Sequence, residues 1–178
     1  EKVIIGCKKI VPVYTRIMRL IRDIPGESIE AGNKITNLRQ VLKRKGVKCN
    51  CIRCREPQNK NIKGKKLKLN ILKYKASEAD EYFISFDSID NEILYGFCRL
   101  RLDNSSDISP AIVRELHVYG QLVPIGGEKK VQHSGLGKKL MKEAERIAKE
   151  NEIKKIAVIS GVGVRGYYKK LGYKLEGT

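Results

Sequence analysis

No stretch of this chain reaches the roughly 18 consecutive apolar residues that a membrane-spanning helix needs. Its first residues also lack the charged, apolar and small-residue succession of a secretory leader. Together these absences lead to the expectation of a soluble, cytoplasmic protein with no membrane partner. Cysteine is present in an odd number, five, which argues against a secreted disulfide framework. Acidic residues are scarce: 20 stand against 37 basic ones, a net charge of +17. Such an excess attracts polyanions such as nucleic acid, or an anionic membrane surface. Heat-adapted proteins also carry many lysines but balance them with glutamate, and that balance is missing here. With 178 residues the chain has room for one packed domain and a small appendage, or for two small domains.

What is present centres on Val131 to Lys149, V-Q-H-S-G-L-G-K-K-L-M-K-E-A-E-R-I-A-K. Leu140, Met141, Ala144, Ile147 and Ala148 recur at helical spacing, with Lys142, Glu143, Glu145, Arg146 and Lys149 on the other face. Gly135 and Gly137 precede that helix, where the first-turn N–H groups have no intrahelical partner. Helix starts favour acidic residues, yet Lys138 and Lys139 occupy this first turn, which suits a bound anion. A solvated lysine-rich helix start is the plainer alternative.

Along the chain, residues 1 to 24 read as a short helix and then an extended apolar-basic segment closed by Pro25. A second helix is expected over 34 to 46, capped by Thr36 and stopped by Gly46. Cys49, Cys51 and Cys54 follow at C-x-C-x2-C spacing, which lets three thiols converge on one ion. Zinc needs a fourth ligand, and Cys7 is selected by elimination. An iron-sulfur cluster and unmetallated thiols are the alternatives. Residues 57 to 66 read as a linker. Strands are expected from Leu67, at Tyr82–Phe86, Ile93–Leu102 and Ala111–Val118, with Asp90-Asn91 at the tip of a hairpin loop. After the long helix come a strand at Lys155–Ser160, a short helix at Val164–Leu171 and a last strand at Tyr173–Leu175. The order is mixed α/β.

Gln132-x-x-Gly135-x-Gly137 opening a helix, followed by Tyr167-Tyr168-Lys-Lys-Leu-Gly172-Tyr173, resembles the GNAT-type acetyltransferase superfamily. More narrowly, R-E-L-H-V-Y-G, V-Q-H-S-G-L-G-K-K-L-M, I-S-G-V-G-V-R and Y-Y-K-K-L-G-Y, preceded by R-D-I-P, A-G-N-K, N-L-R-Q and C-x-C-x2-C-R-E, resemble the C-terminal half of the Elongator catalytic subunit family, tRNA uridine acetyltransferases. The resemblance covers most of residues 11 to 178. It implies a GNAT-type α/β fold over 61–178, a mixed, mostly antiparallel sheet with flanking helices. Residues 1–60 would hold the remnant of a radical S-adenosylmethionine domain, a basic helix and a zinc-binding, cysteine-rich linker. S-adenosylmethionine and a 4Fe-4S cluster would belong to the full-length parent only, because no three-cysteine motif stands upstream of residue 49. This chain would then be a fragment unable to complete 5-carboxymethyluridine formation.

The resemblance also implies residue roles. Acetyl-coenzyme A would be held by Gln132, His133, Ser134, Gly135, Leu136, Gly137, Lys138 and Lys139, with Gly161 giving room to its pantetheine arm. Tyr167 and Tyr168 would also line its pocket, with Tyr168 as proton donor to the departing thiolate and Tyr167 as wall or as the acid in its place; aromatic packing of the short helix on the sheet is the plainer alternative for both. Glu115 and His117 share a strand face; they either orient water or substrate, or form an ion pair and a structural histidine. Lys34, Arg39, Lys43, Arg44, Lys45, Lys48, Arg53 and Arg55 are the expected tRNA contacts, with a merely solvated face as the rival. Elongator-like subunits or self-association are further partners. Two other functions remain open: a lysine or N-terminal protein acetyltransferase, and a tRNA-binding module with a regulatory acetyl-coenzyme A pocket.

Overall fold

The structure is a computed structural model, and it describes residues 1–21, 24–58, 60, 66–119 and 135–176. The chain divides into two compact units, Glu1–Gln58 and Asn59–Thr178.

Among the described residues the first unit carries three short α-helices, α1 (Lys2–Ile10), α2 (Leu38–Arg44) and α3 (Ile52–Arg55), and a 3-10 turn at Gly26–Ser28. An extended segment follows α1 and is fixed through its backbone. Ile52 N–H donates to the Thr15 carbonyl at 3.0 Å, and the Arg55 and Arg39 guanidinium groups donate to Val13 O at 2.8 Å and Ile17 O at 2.6 Å. The second helix is shorter than expected. Its N-cap position is Asn37, without a side-chain bond, and Thr36 lies in the preceding turn. Upstream, Asn33 Oδ1 accepts from Ile35 N–H, a local bond that competes with helical pairing. Gly46 ends the helix as expected, at φ +73°.

Among the described residues the second unit holds a five-stranded sheet in the order β1 to β5: β1 (Leu67–Ala76), β2 (Ala79–Ser88), β3 (Leu94–Leu102), β4 (Ala111–Val118) and β5 (Ile156–Val158). The first four are antiparallel; β5 runs parallel to β4, reached through α4 (Leu136–Glu150). The β1–β2 hairpin turns on Ser77 and Glu78, both at positive φ. That turn has no glycine or asparagine to mark it in the sequence, and pairing runs up to it, ending with Ala76 opposite Ala79.

The core lies between the sheet and α4. Leu140, Met141, Ala144, Ile147 and Ala148 pack against Ile84, Cys98, Leu100, Ala111 and Val113. A register shift opposite Arg99 and Leu100 inserts Arg114 as an extra residue, so Val113 and Leu116 both reach this core. The closing helix α5 (Arg165–Lys170) follows a short 3-10 turn at Val162–Val164. Tyr173–Leu175 is not a strand. Gly172 turns the chain at φ +93°, Tyr173 N–H returns to Tyr168 O at 3.1 Å, and its hydroxyl donates to Glu145 Oε1 at 2.7 Å.

Candidate functional site

Strand alternation aims Leu116 and Val118 of β4 toward the α4 side of the sheet, and the start of α4 meets them there. A cleft of about 350 Å³ forms, lined by these two residues, by Gly135, Leu136, Gly137 and Lys138, and by Val164, Tyr167 and Tyr168 beside α5. Two sequence motifs some 30 residues apart thus converge on one cavity.

The α4 end of the cleft is prepared for negative charge. Gly135 is the N-cap, in the left-handed region at φ +88°, and supplies no side-chain bond. The first turn contains no acidic residue. Among the described residues, no side chain caps its earliest N–H groups, which lie beside Lys138 and Lys139. The two glycines answer different needs. Gly135 has open space around it but a conformation that a Cβ disfavours, whereas a Cβ on Gly137 would stand 2.6 Å from the Tyr167 hydroxyl.

The α5 end supplies phenols. Tyr167 and Tyr168 meet edge to face at a centroid distance of 5.2 Å, and Tyr168 packs against the core cluster that includes Cys98. Burial raises the pKa of both hydroxyls; for Tyr168, Cys98 and Tyr167 add to the effect. A phenol held protonated in this way can give a proton and cannot readily act as a base. The Cys98 thiol is pushed up to about 12, first by burial and then by Glu115, which makes it inert core.

Several expected residues are elsewhere. Glu115 and His117 alternate with Leu116 and Val118 and so point to the opposite sheet face. Glu115 accepts from Arg99 Nε at 2.9 Å, and His117 stacks on Phe97 with centroids 5.9 Å apart. Lys139 and Gly161 are outside the cleft lining. Gln132, His133 and Ser134 lie outside the described residues, as does the connection from 120 to 130. The strand residues Leu116 and Val118 were missed; the same alternation that paired Glu115 with His117 pointed to them.

In the first unit, the sulfur atoms of Cys49, Cys51 and Cys54 lie within 4.8 Å of one another. Tetrahedral zinc with ligands at about 2.3 Å needs sulfur separations of about 3.8 Å, so this donor set fits with a small contraction. Cys51 is held down at about 4, first by the Cys54 side chain, with help from the Cys54 and Ile17 N–H groups and Cys49 against the effect of burial. Cys54 is correspondingly raised by sharing its proton with Cys51. Cys7 is exposed on α1 and is not part of the group.

The basic surface is thinner than the sequence suggests. Arg39 and Arg55 point inward to backbone carbonyls, and Arg53 pairs with buried Glu56 at 2.8 Å. Lys45 pairs with Glu1 at 2.7 Å. Lys34, Lys43, Arg44 and Lys48 are exposed and have no ion pair among the described residues.

The Acetyltransferase (GNAT) family profile matches residues 50–173. The chain belongs to the acetyltransferase (GNAT) family. It is 42% identical to the tRNA uridine(34) acetyltransferase of Dehalococcoides mccartyi, over 94% of this chain and 40% of that protein. It is likewise 42% identical to Elongator complex protein 3 of Schizosaccharomyces pombe, over 94% of this chain and 34% of that protein. The solved structure of the archaeal Methanocaldococcus infernus Elp3 with an N-terminal deletion superposes with a TM-score of 0.81 at 42% identity, covering 99% of this chain and 46% of that one. The chain thus spans about two fifths or less of the curated relatives it matches. Among the described residues no helix is long and apolar enough to cross a membrane.

Proposed function

We propose that this chain is the acetyl-coenzyme A-binding, thioester-opening part of a tRNA uridine(34) acetyltransferase. The observation that carries the reading is the convergence of Gly135–Lys138 and Tyr167–Tyr168 on one cleft beside β4. The names of its relatives supply the tRNA.

In this reading the first-turn N–H groups of α4 and Lys138 hold the coenzyme A pyrophosphate, while Leu116 and Val118 form the wall along its arm. Parallel pairing between β4 and β5 covers only Ala111–Val113 with Ile156–Val158, so the β4 edge beyond it has no strand partner among the described residues. An arm carrying two amides matches such an edge by adding itself as a strand would. When an acceptor attacks the thioester carbonyl, the bond between the acyl carbon and sulfur breaks, the departing thiolate takes the Tyr168 proton, and the proton that the acceptor loses restores the phenol. S-adenosylmethionine and 4Fe-4S chemistry on the base is assigned to parts of the parent protein outside this chain. For tRNA phosphates the exposed Lys34, Lys43, Arg44 and Lys48 are the candidates. Cys49, Cys51 and Cys54 would hold zinc, whose contribution is a structural cross-link of the knuckle.

Tyr168→Phe tests the catalytic half. Release of free coenzyme A from acetyl-coenzyme A in the presence of tRNA should fall by about 100-fold or more, the usual contribution of a positioned acid, with calorimetric affinity nearly unchanged. Wild-type release rates in the variant would remove Tyr168 from the mechanism.

A further inference from the structure

Helix α1 is built the wrong way round for an amphipathic helix. Val3 and Ile10 are 77% and 81% exposed, while its one buried residue is Lys8, at 2%. An ammonium group in that position is strongly disfavoured unless an anion faces it. Among the described residues no carboxylate pairs with Lys8; its hydrogen-bond partner is Cys54 Sγ, at 3.5 Å. A second cation arrives from α2, where Arg39 Nη1 donates to the same sulfur at 3.4 Å. Two positive groups on one sulfur suit a sulfur that belongs to a negatively charged assembly.

We propose that Lys8 and Arg39 are the outer charge partners of a metal-thiolate centre formed by Cys49, Cys51 and Cys54. The inference rests on the metal reading of that triad and adds to it. One divalent ion with three thiolates carries a net negative charge, and the two cations offset that charge where water is scarce. Their N–H groups also fix the direction of the Cys54 sulfur, the task that outer hydrogen-bond partners perform at metal sites. Arg39 additionally ties the site to the extended segment through Ile17 O and Met18 O. Among the described residues Lys8 has no such second attachment, so it is the cleaner position to test.

The experiment uses the whole 178-residue chain, expressed with added zinc, as wild type, Lys8→Met and Lys8→Arg. Bound zinc is quantified, and its transfer to a competing chromogenic chelator is followed. Lys8→Met should lower zinc affinity about 10- to 100-fold, the usual effect of losing an outer partner, and Lys8→Arg should restore it. In cobalt(II)-loaded protein the thiolate-to-metal absorption should shift in Lys8→Met and not in Lys8→Arg. If Lys8→Met does not fold by circular dichroism, Lys8→Gln carries the same comparison. Wild-type zinc retention with an unshifted cobalt spectrum in a folded neutral variant overturns the role of Lys8. A wild-type chain that carries no zinc overturns the metal reading itself.

Discussion

Gly137 shows how much a single missing Cβ can decide. Its neighbour is the Tyr167 hydroxyl, 2.6 Å from where the Cβ would stand. Gly137→Ala must therefore push the Tyr167 ring out of place and alter the cleft. Alanine also gains about 1 kcal/mol of helix propensity over glycine, which offsets the crowding. The expected result is acetyl-coenzyme A affinity weakened by tenfold or more with a melting temperature close to wild type. Calorimetry and a thermal melt on the same sample check it; unchanged affinity would show that Tyr167 yields without affecting the ligand. Gly135 behaves differently, because any side chain there strains a left-handed backbone by roughly 1–2 kcal/mol whatever the space.

At the scale of elements, the legible features were those with a strong period. The buried stripe of α4 is the set expected from 3.6-residue spacing, joined by Leu136, and Leu140 at its centre is fully buried. Leu140→Ala should cost about 2–5 kcal/mol in urea denaturation with an unchanged m-value; a loss under 1 kcal/mol would mean that the helix is not seated on the sheet as described. Features set by tertiary context were not legible. The β1–β2 turn lacks its usual residues. The Arg114 bulge alters the side-chain phase within β4, and Tyr173 folds back onto Glu145 instead of extending a strand. Lys8 is the sharpest case. Elimination among cysteines favoured Cys7, but the structure turns its neighbour inward, and no local rule assigns a lysine to the buried side of an apolar helix. A guanidinium that clamps carbonyls, as those of Arg39 and Arg55 do, looks the same in sequence as one that meets phosphate.

Over the whole molecule, cations outnumber anions in each unit, and the two units carry separate chemistry. The first holds the cysteine group with its cations, the second the cleft at the start of α4. The central claim is that this cleft, and not the Glu115–His117 face of the sheet, receives acetyl-coenzyme A. Backbone amide resonances recorded during an acetyl-coenzyme A titration test it most directly. The account predicts the largest shifts at Gly135 to Lys138, at Leu116 and Val118, and at Tyr167 and Tyr168, with little change at Glu115 or His117. Shifts concentrated at Glu115 and His117, or no shift at Gly135 to Lys138 at saturating ligand, would contradict it.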